Sequence, residues 1–161
     1  MKRILCFLLT AALLLPLLCG CGEQVREPVT FYYLRKNYQE SMDSLIASEE
    51  REASGHRDNL NYLLTFYLMG PVDEELQSPL PRGTALHRVY QEDTGLTLEL
   101  SNTSALLTDY EFSLACACLS LTCMDLAAVD TVTVVSGNRS LTMNRDTLTL
   151  YDSVRPEEET K

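Results

Sequence analysis

Basic residues are scarce in this chain. Against 23 aspartates and glutamates it has 13 lysines and arginines, a formal net charge of −10 at pH 7, and its lysines are Lys2, Lys36 and Lys161 alone. An acid excess of that size argues against nucleic acid as a partner and against an electrostatic grip on anionic lipid. Chemistry that needs an amine nucleophile has almost no candidates. Histidine is scarcer still: His56 and His87 are the two present, and neither sits in a metal-binding helix pattern. Gly-x-Ser-x-Gly and Ser-x-x-Lys arrangements are both missing, and with them the usual signatures of an activated serine. No catalytic residues, cofactor or metal site are therefore expected. The acidic runs Asp73-Glu74-Glu75 and Glu157-Glu158-Glu159 read as solvated surface in a loop and a tail.

Long apolar runs are also rare, and the longest lies at the start. Lys2 and Arg3 precede an almost wholly apolar stretch from Ile4 to Leu18, and Leu18-Cys19-Gly20-Cys21 follows. A basic start, a short apolar core and a small residue before a cleavage point make an export signal. The stretch is shorter than the roughly 20 residues that cross a bilayer, and Pro16 interrupts it. The last four residues resemble a lipobox, which implies cleavage before Cys21 and attachment of diacylglycerol to its sulfur. Residues 1–20 are thus expected to be a lipoprotein signal peptide and residues 21–28 a flexible tether. Cys21 would be the lipid anchor, holding the protein on the extracytoplasmic face of the cell membrane. Removing residues 1–20 leaves 141 residues and moves the net charge from −10 to −12, since Lys2 and Arg3 go and no acid does. That length fits one domain with a core of its own.

Of the cysteines beyond the signal, Cys116, Cys118 and Cys123 share one apolar segment. On a helix turning about 100° per residue, Cys118 points away from Cys116, so the three do not converge on one ion. A helical rise of about 10.5 Å separates Cys116 from Cys123, beyond the Cα limit of a disulfide near 7 Å. They read as small core thiols, with an intermolecular bridge through an exposed Cys118 as the alternative.

Patterning supplies the elements. Val29–Leu34 is rich in aromatic and branched residues and reads as a buried strand, and a second strand is expected near Ser44–Glu52. Leu60, Leu63, Leu64, Tyr67 and Leu68 form a helical stripe, with Asp58 as its cap and Gly70-Pro71 as its stop, giving a helix over 58–69. A loop over 70–84 leads to a hairpin of Ala85–Gln91 and Leu96–Ser101, whose Leu96, Leu98 and Leu100 point inward. Thr108 and Glu111 make a capping box at the start of a second helix. Its main stripe is Phe112, Ala115, Cys116, Leu119, Cys123 and Leu126; Leu114, Cys118 and Leu121 form a second apolar line. Strands follow over 129–136, 141–143 and 148–151. The expected class is α+β: a small mixed β-sheet with two α-helices packed on one face.

Tyr62 to Leu100 resembles the GerMN domain of sporulation and germination lipoproteins from Gram-positive bacteria. The features that carry the resemblance are the helix ending in Gly70-Pro71, the segment Leu80-Pro81-Arg82-Gly83-Thr84, and the hairpin ending in Leu98-Glu99-Leu100-Ser101. It implies a GerMN-like domain over 29–151, followed by a disordered acidic tail over 152–161. The structural-motif residues are Gly70, Pro71, Leu80, Pro81, Gly83 and Thr84: Gly70 followed by Pro71 ends the helix, Pro79 and Pro81 stiffen the return loop, and Gly83 takes positive φ before the strand. The resemblance further implies a non-enzymatic protein-interaction or scaffold module, acting in sporulation or germination envelope assembly. Its interaction face is expected at Leu114, Cys118 and Leu121, toward a protein partner or another copy. Two rivals stand beside it: a small-ligand-binding surface lipoprotein, with Tyr32, Tyr38 and Tyr90 lining a pocket, and an enzyme acting on cell-wall material.

Overall fold

A computed structural model describes residues 28–37, 44–53 and 55–149. The expected signal peptide, Cys21, nearly all of the tether, Tyr38 and the acidic tail lie outside the described residues. Strand β1, Pro28–Arg35, pairs antiparallel along its length with β2, Ile46–Glu52. Helix α1 covers Leu60–Leu68, with Leu63, Leu64 and Tyr67 buried, as its periodicity predicts. Its cap is Asn59 rather than Asp58, because the Asn59 side chain accepts the Tyr62 amide at 3.0 Å. Gly70, at φ +95°, turns the chain out of the helix, and its amide donates to the Tyr67 carbonyl.

The loop expected over 70–84 contains a two-residue strand, β3, Leu76–Gln77, which pairs antiparallel with Leu34 and Arg35 of β1. Two residues carry too little pattern to be read from sequence. Because β3 is so short, the Tyr32 amide and carbonyl face outward beyond it. Two hydroxyls take them instead: Thr122 Oγ1 accepts the amide and Tyr67 donates to the carbonyl, each at 3.0 Å. A strand edge is thereby closed by side chains from two helices.

The hairpin forms from β4, Leu86–Glu92, and β5, Gly95–Leu100, with Leu96, Leu98 and Leu100 buried. A 3₁₀ turn, Asn102–Leu106, leads to α2, Asp109–Ala127, which begins at the Thr108–Glu111 capping box. Strand β6, Thr131–Ser136, runs parallel to β5, and β7, Arg139–Asn144, returns antiparallel. A short helix α3, Arg145–Thr149, stands where a strand over 148–151 was expected. Asn144 explains it: its side chain accepts the Thr147 amide at 2.7 Å, an N-cap that closes a helical turn.

The class is α+β, with one correction: the strands divide into two hydrogen-bonded sheets, β2-β1-β3 and β4-β5-β6-β7, rather than one. Helix α2 packs against β1 of the first sheet and β6 and β7 of the second. Its small residues Ala115, Cys116, Ala117, Cys118 and Ser120 permit close approach, and every position from 115 to 120 is buried. By length and composition α2 could cross a membrane, but ten of its side chains are packed inside the protein.

Candidate functional site

Three cysteines and two tyrosines are buried, a third tyrosine, Tyr32, is half-buried, and their surroundings favour the protonated form of each. Cys116, Cys118 and Cys123 are free and fully buried. Burial pushes the Cys116 thiol from 9.0 to about 12 and raises the other two as well. At neutral pH all three are thiols, poor as nucleophiles and as metal ligands. Tyr33 and Tyr67 stack at 4.7 Å, and burial raises both phenols above their usual value. Tyr32 is pushed up to about 12, first by burial and then by its 2.7 Å hydrogen bond to Asp125.

The expected interaction line through Leu114, Cys118 and Leu121 requires a correction. Cys118 has no exposed surface and lies beside Tyr33 and Tyr67, while Leu114 and Leu121 are half-buried. Of this line, Cys118 is closed to a partner by its packing beside the aromatic core, while Leu114 and Leu121 keep part of their surface. The same burial removes Cys118 as the site of an intermolecular bridge.

The family-like motif residues sit in turns. Leu80 is buried, and its amide and carbonyl both bond to Ser78 Oγ. Pro81 offers its carbonyl to the amide and hydroxyl of Thr84, at 3.2 and 2.8 Å, across Gly83 at φ +85°. Thr84 Oγ1 is also 2.8 Å from Thr103 Oγ1, which fastens this turn to the segment after β5. Gly70 and Pro71 form a corner held from below by a pair of charges.

That pair is Arg51 and Glu49, both on β2 and both missed from sequence, where they belong to the charge run Glu49-Glu50-Arg51-Glu52. Their side chains are 6% and 11% exposed and make a two-pronged ion pair, Nε and one terminal nitrogen each donating at 3.2 Å. The Arg51 guanidinium also donates to the Gly70 carbonyl and, at 3.3 Å, to the Tyr33 hydroxyl. It lies 4.8 Å from the centre of Phe66 and 5.4 Å from that of Phe31. Glu49 in turn accepts the Val72 amide at 3.0 Å. Arg51 and Glu49 thus grip both sides of Gly70-Pro71 and fix the corner to the first sheet.

What the corner presents is apolar. Met69 is 79% exposed and Val72 is 74% exposed, on either side of the two clamped residues. Asp73, Glu74 and Glu75 follow at once and are exposed. Leu106 and Tyr110, near the start of α2, are further large side chains left in solvent. The aromatic pocket expected from Tyr32, Tyr38 and Tyr90 includes Tyr38, which lies outside the described residues. Tyr32 is engaged with Asp125, and a shallow depression beside β1, lined by Pro28, Val29, Thr30, Arg57, Asp125 and Leu126, includes neither Tyr32 nor Tyr90.

Sequence comparison matches no family model and no curated protein. Comparison of folds finds the tandem GerMN domains of the sporulation protein GerM from Bacillus subtilis at a TM-score of 0.51 and 19% identity, over 75% of this chain and 43% of that one. The chain therefore spans less than half of that tandem structure. A protein from Clostridium perfringens described as a lipoprotein aligns at a TM-score of 0.48 and 14% identity, over 74% of this chain and 89% of that one. The first GerMN domain of GerM alone aligns at 0.49 and 14%, over 71% and 86%. The described residues adopt the fold of a GerMN domain.

Proposed function

We propose that this chain is a lipid-anchored, extracytoplasmic protein-interaction module that works without catalysis, in envelope assembly during sporulation or germination. One observation carries the reading: Met69 and Val72, two large apolar side chains, stand in solvent on backbone held by Arg51 and Glu49, while the three cysteine thiols are buried. Exposed apolar surface on a rigid support is a feature of recognition surfaces, since little ordering entropy is lost on binding. The GerMN fold and the lipobox-like segment ending at Cys21 support the same reading. Two acyl chains on Cys21 would hold the protein durably, where one would give only marginal binding.

The test has two parts. Cys21→Ser should abolish metabolic lipid labelling and release the protein from the membrane fraction; unchanged labelling and fractionation would refute the anchor. The full chain purified from its own membranes, during growth and during sporulation where the host sporulates, should carry envelope-assembly proteins identified by mass spectrometry. Recovery of the protein alone in every condition, with a melting temperature that rises on adding a small molecule, would favour the ligand-binding reading instead.

A further inference from the structure

We infer that the Met69–Val72 corner is the surface that meets the partner, and that the partner offers a shallow apolar cleft edged by lysine or arginine. This rests on the interaction-module reading and names its site. Met69 and Val72, at 79% and 74% exposure, are two large apolar side chains within four residues, and folding has not buried them. Their backbone is held by a charged pair that the fold largely covers: Arg51 donates to the Gly70 carbonyl and Glu49 accepts the Val72 amide. A tip fixed in this way is already in its bound shape, so docking immobilises only the Met69 and Val72 side chains.

Charge selects the kind of partner. Asp73, Glu74 and Glu75 adjoin the tip and are exposed, and the nearby lysine, Lys36, donates its ammonium to the Glu74 carbonyl. An apolar tip with an acidic border complements an apolar cleft with a basic border. The same border repels anionic lipid, which distinguishes the tip from a membrane-dipping loop. A second copy is a poor match, because the chain has 13 basic residues against 23 acidic ones, and Arg51 and Arg139 are spent inside the fold.

The experiment places the photo-crosslinking residue benzoylphenylalanine at position 72 of the full chain in its own membranes, with parallel placements at 114 and 121. The inference predicts an adduct with a different protein at 72, whose crosslinked peptide is apolar and contains lysine or arginine. Its yield should fall about tenfold in Met69→Asp, through the loss of apolar burial. It should fall by a similar factor in Glu74→Lys with Glu75→Lys, through charge reversal. Both variants alter exposed side chains, so unchanged circular dichroism melting will show that folding is intact. An adduct of twice the chain's mass, an adduct with lipid alone, or a yield indifferent to the charge reversal would overturn the inference. Adducts at 114 or 121 with none at 72 would overturn the tip and leave the interaction-module reading standing; no adduct at any of the three would overturn both.

Discussion

Replacing Arg51 with methionine should be among the most damaging single changes in the protein. Methionine keeps much of the volume but removes the two-pronged contact with Glu49 and the bonds to the Gly70 carbonyl and the Tyr33 hydroxyl. Glu49, only 11% exposed, is then left with the Val72 amide as its one remaining donor among the contacts described. Breaking a buried ion pair by deleting one partner costs about 3–5 kcal/mol, because the other charge is left uncompensated. A domain of this size has about 5–15 kcal/mol in total, and each kcal/mol moves the melting temperature by roughly 4 °C. Arg51→Met should therefore melt about 12–20 °C below the parent. The chain has no tryptophan, so urea and thermal unfolding are best followed by far-ultraviolet circular dichroism. The double variant Arg51→Met with Glu49→Leu separates the origins of the loss, since an apolar replacement of the whole pair leaves no stranded charge. It should be more stable than Arg51→Met alone by about 2 kcal/mol. A single variant within about 1 kcal/mol of the parent, or a double variant losing the sum of the two singles, would refute the clamp as the support of the Gly70-Pro71 corner.

Further outcomes follow from the same geometry. Thr108→Ala removes the hydroxyl that accepts the Glu111 amide at 3.3 Å and should cost about 1 kcal/mol in urea unfolding, whereas Arg88→Ala, whose 3.7 Å contact with Glu99 is largely in solvent, should fall within about 0.5 kcal/mol of the parent. Alkali should unfold the protein, because the folded state keeps the protons on Cys116, Cys118 and Cys123 that the unfolded chain gives up near pH 9. Stability is fully present below about pH 9 and declines as pH rises toward 12, with a slope approaching 4 kcal/mol per pH unit for three thiols; a flat profile over that range would contradict their burial. Alkylation followed by peptide mapping should find these three cysteines unmodified in native protein and modified in denaturant.

Much of the local structure was legible because its causes are local. The Leu60-to-Leu68 stripe, the alternation of Leu96, Leu98 and Leu100, and the Thr108–Glu111 box each state a period or a cap that the fold then keeps. What was not legible depends on distant partners. Glu49 and Arg51 look like part of a solvated charge run until β1 supplies Tyr33 and Phe31 and the chain after α1 supplies Gly70 and Val72. The division into two sheets is invisible for the same reason: strand content does not say which edges meet, and here the outer edge of β1 is closed by Thr122 and Tyr67 instead of by another strand. Cys118 reads both as a core thiol and as part of a second apolar line, because a helix wheel shows two lines and cannot show which of their residues another element covers; the fold buries Cys118 and leaves Leu114 and Leu121 half-buried. The α3 error had a readable signal, Asn144 three residues before Thr147, which outweighs the β-propensity of the segment after it.

Whether the chain works by presenting a fixed surface to another protein is decided by comparative purification from native membranes. The lipidated full chain and its Met69→Asp, Val72→Asp double variant would be isolated side by side, with bound proteins quantified by mass spectrometry and melting temperatures measured on both. The account predicts equal melting temperatures, a defined set of envelope proteins with the parent, and loss of that set with the variant. Identical companions for both proteins, or none for either, would contradict it.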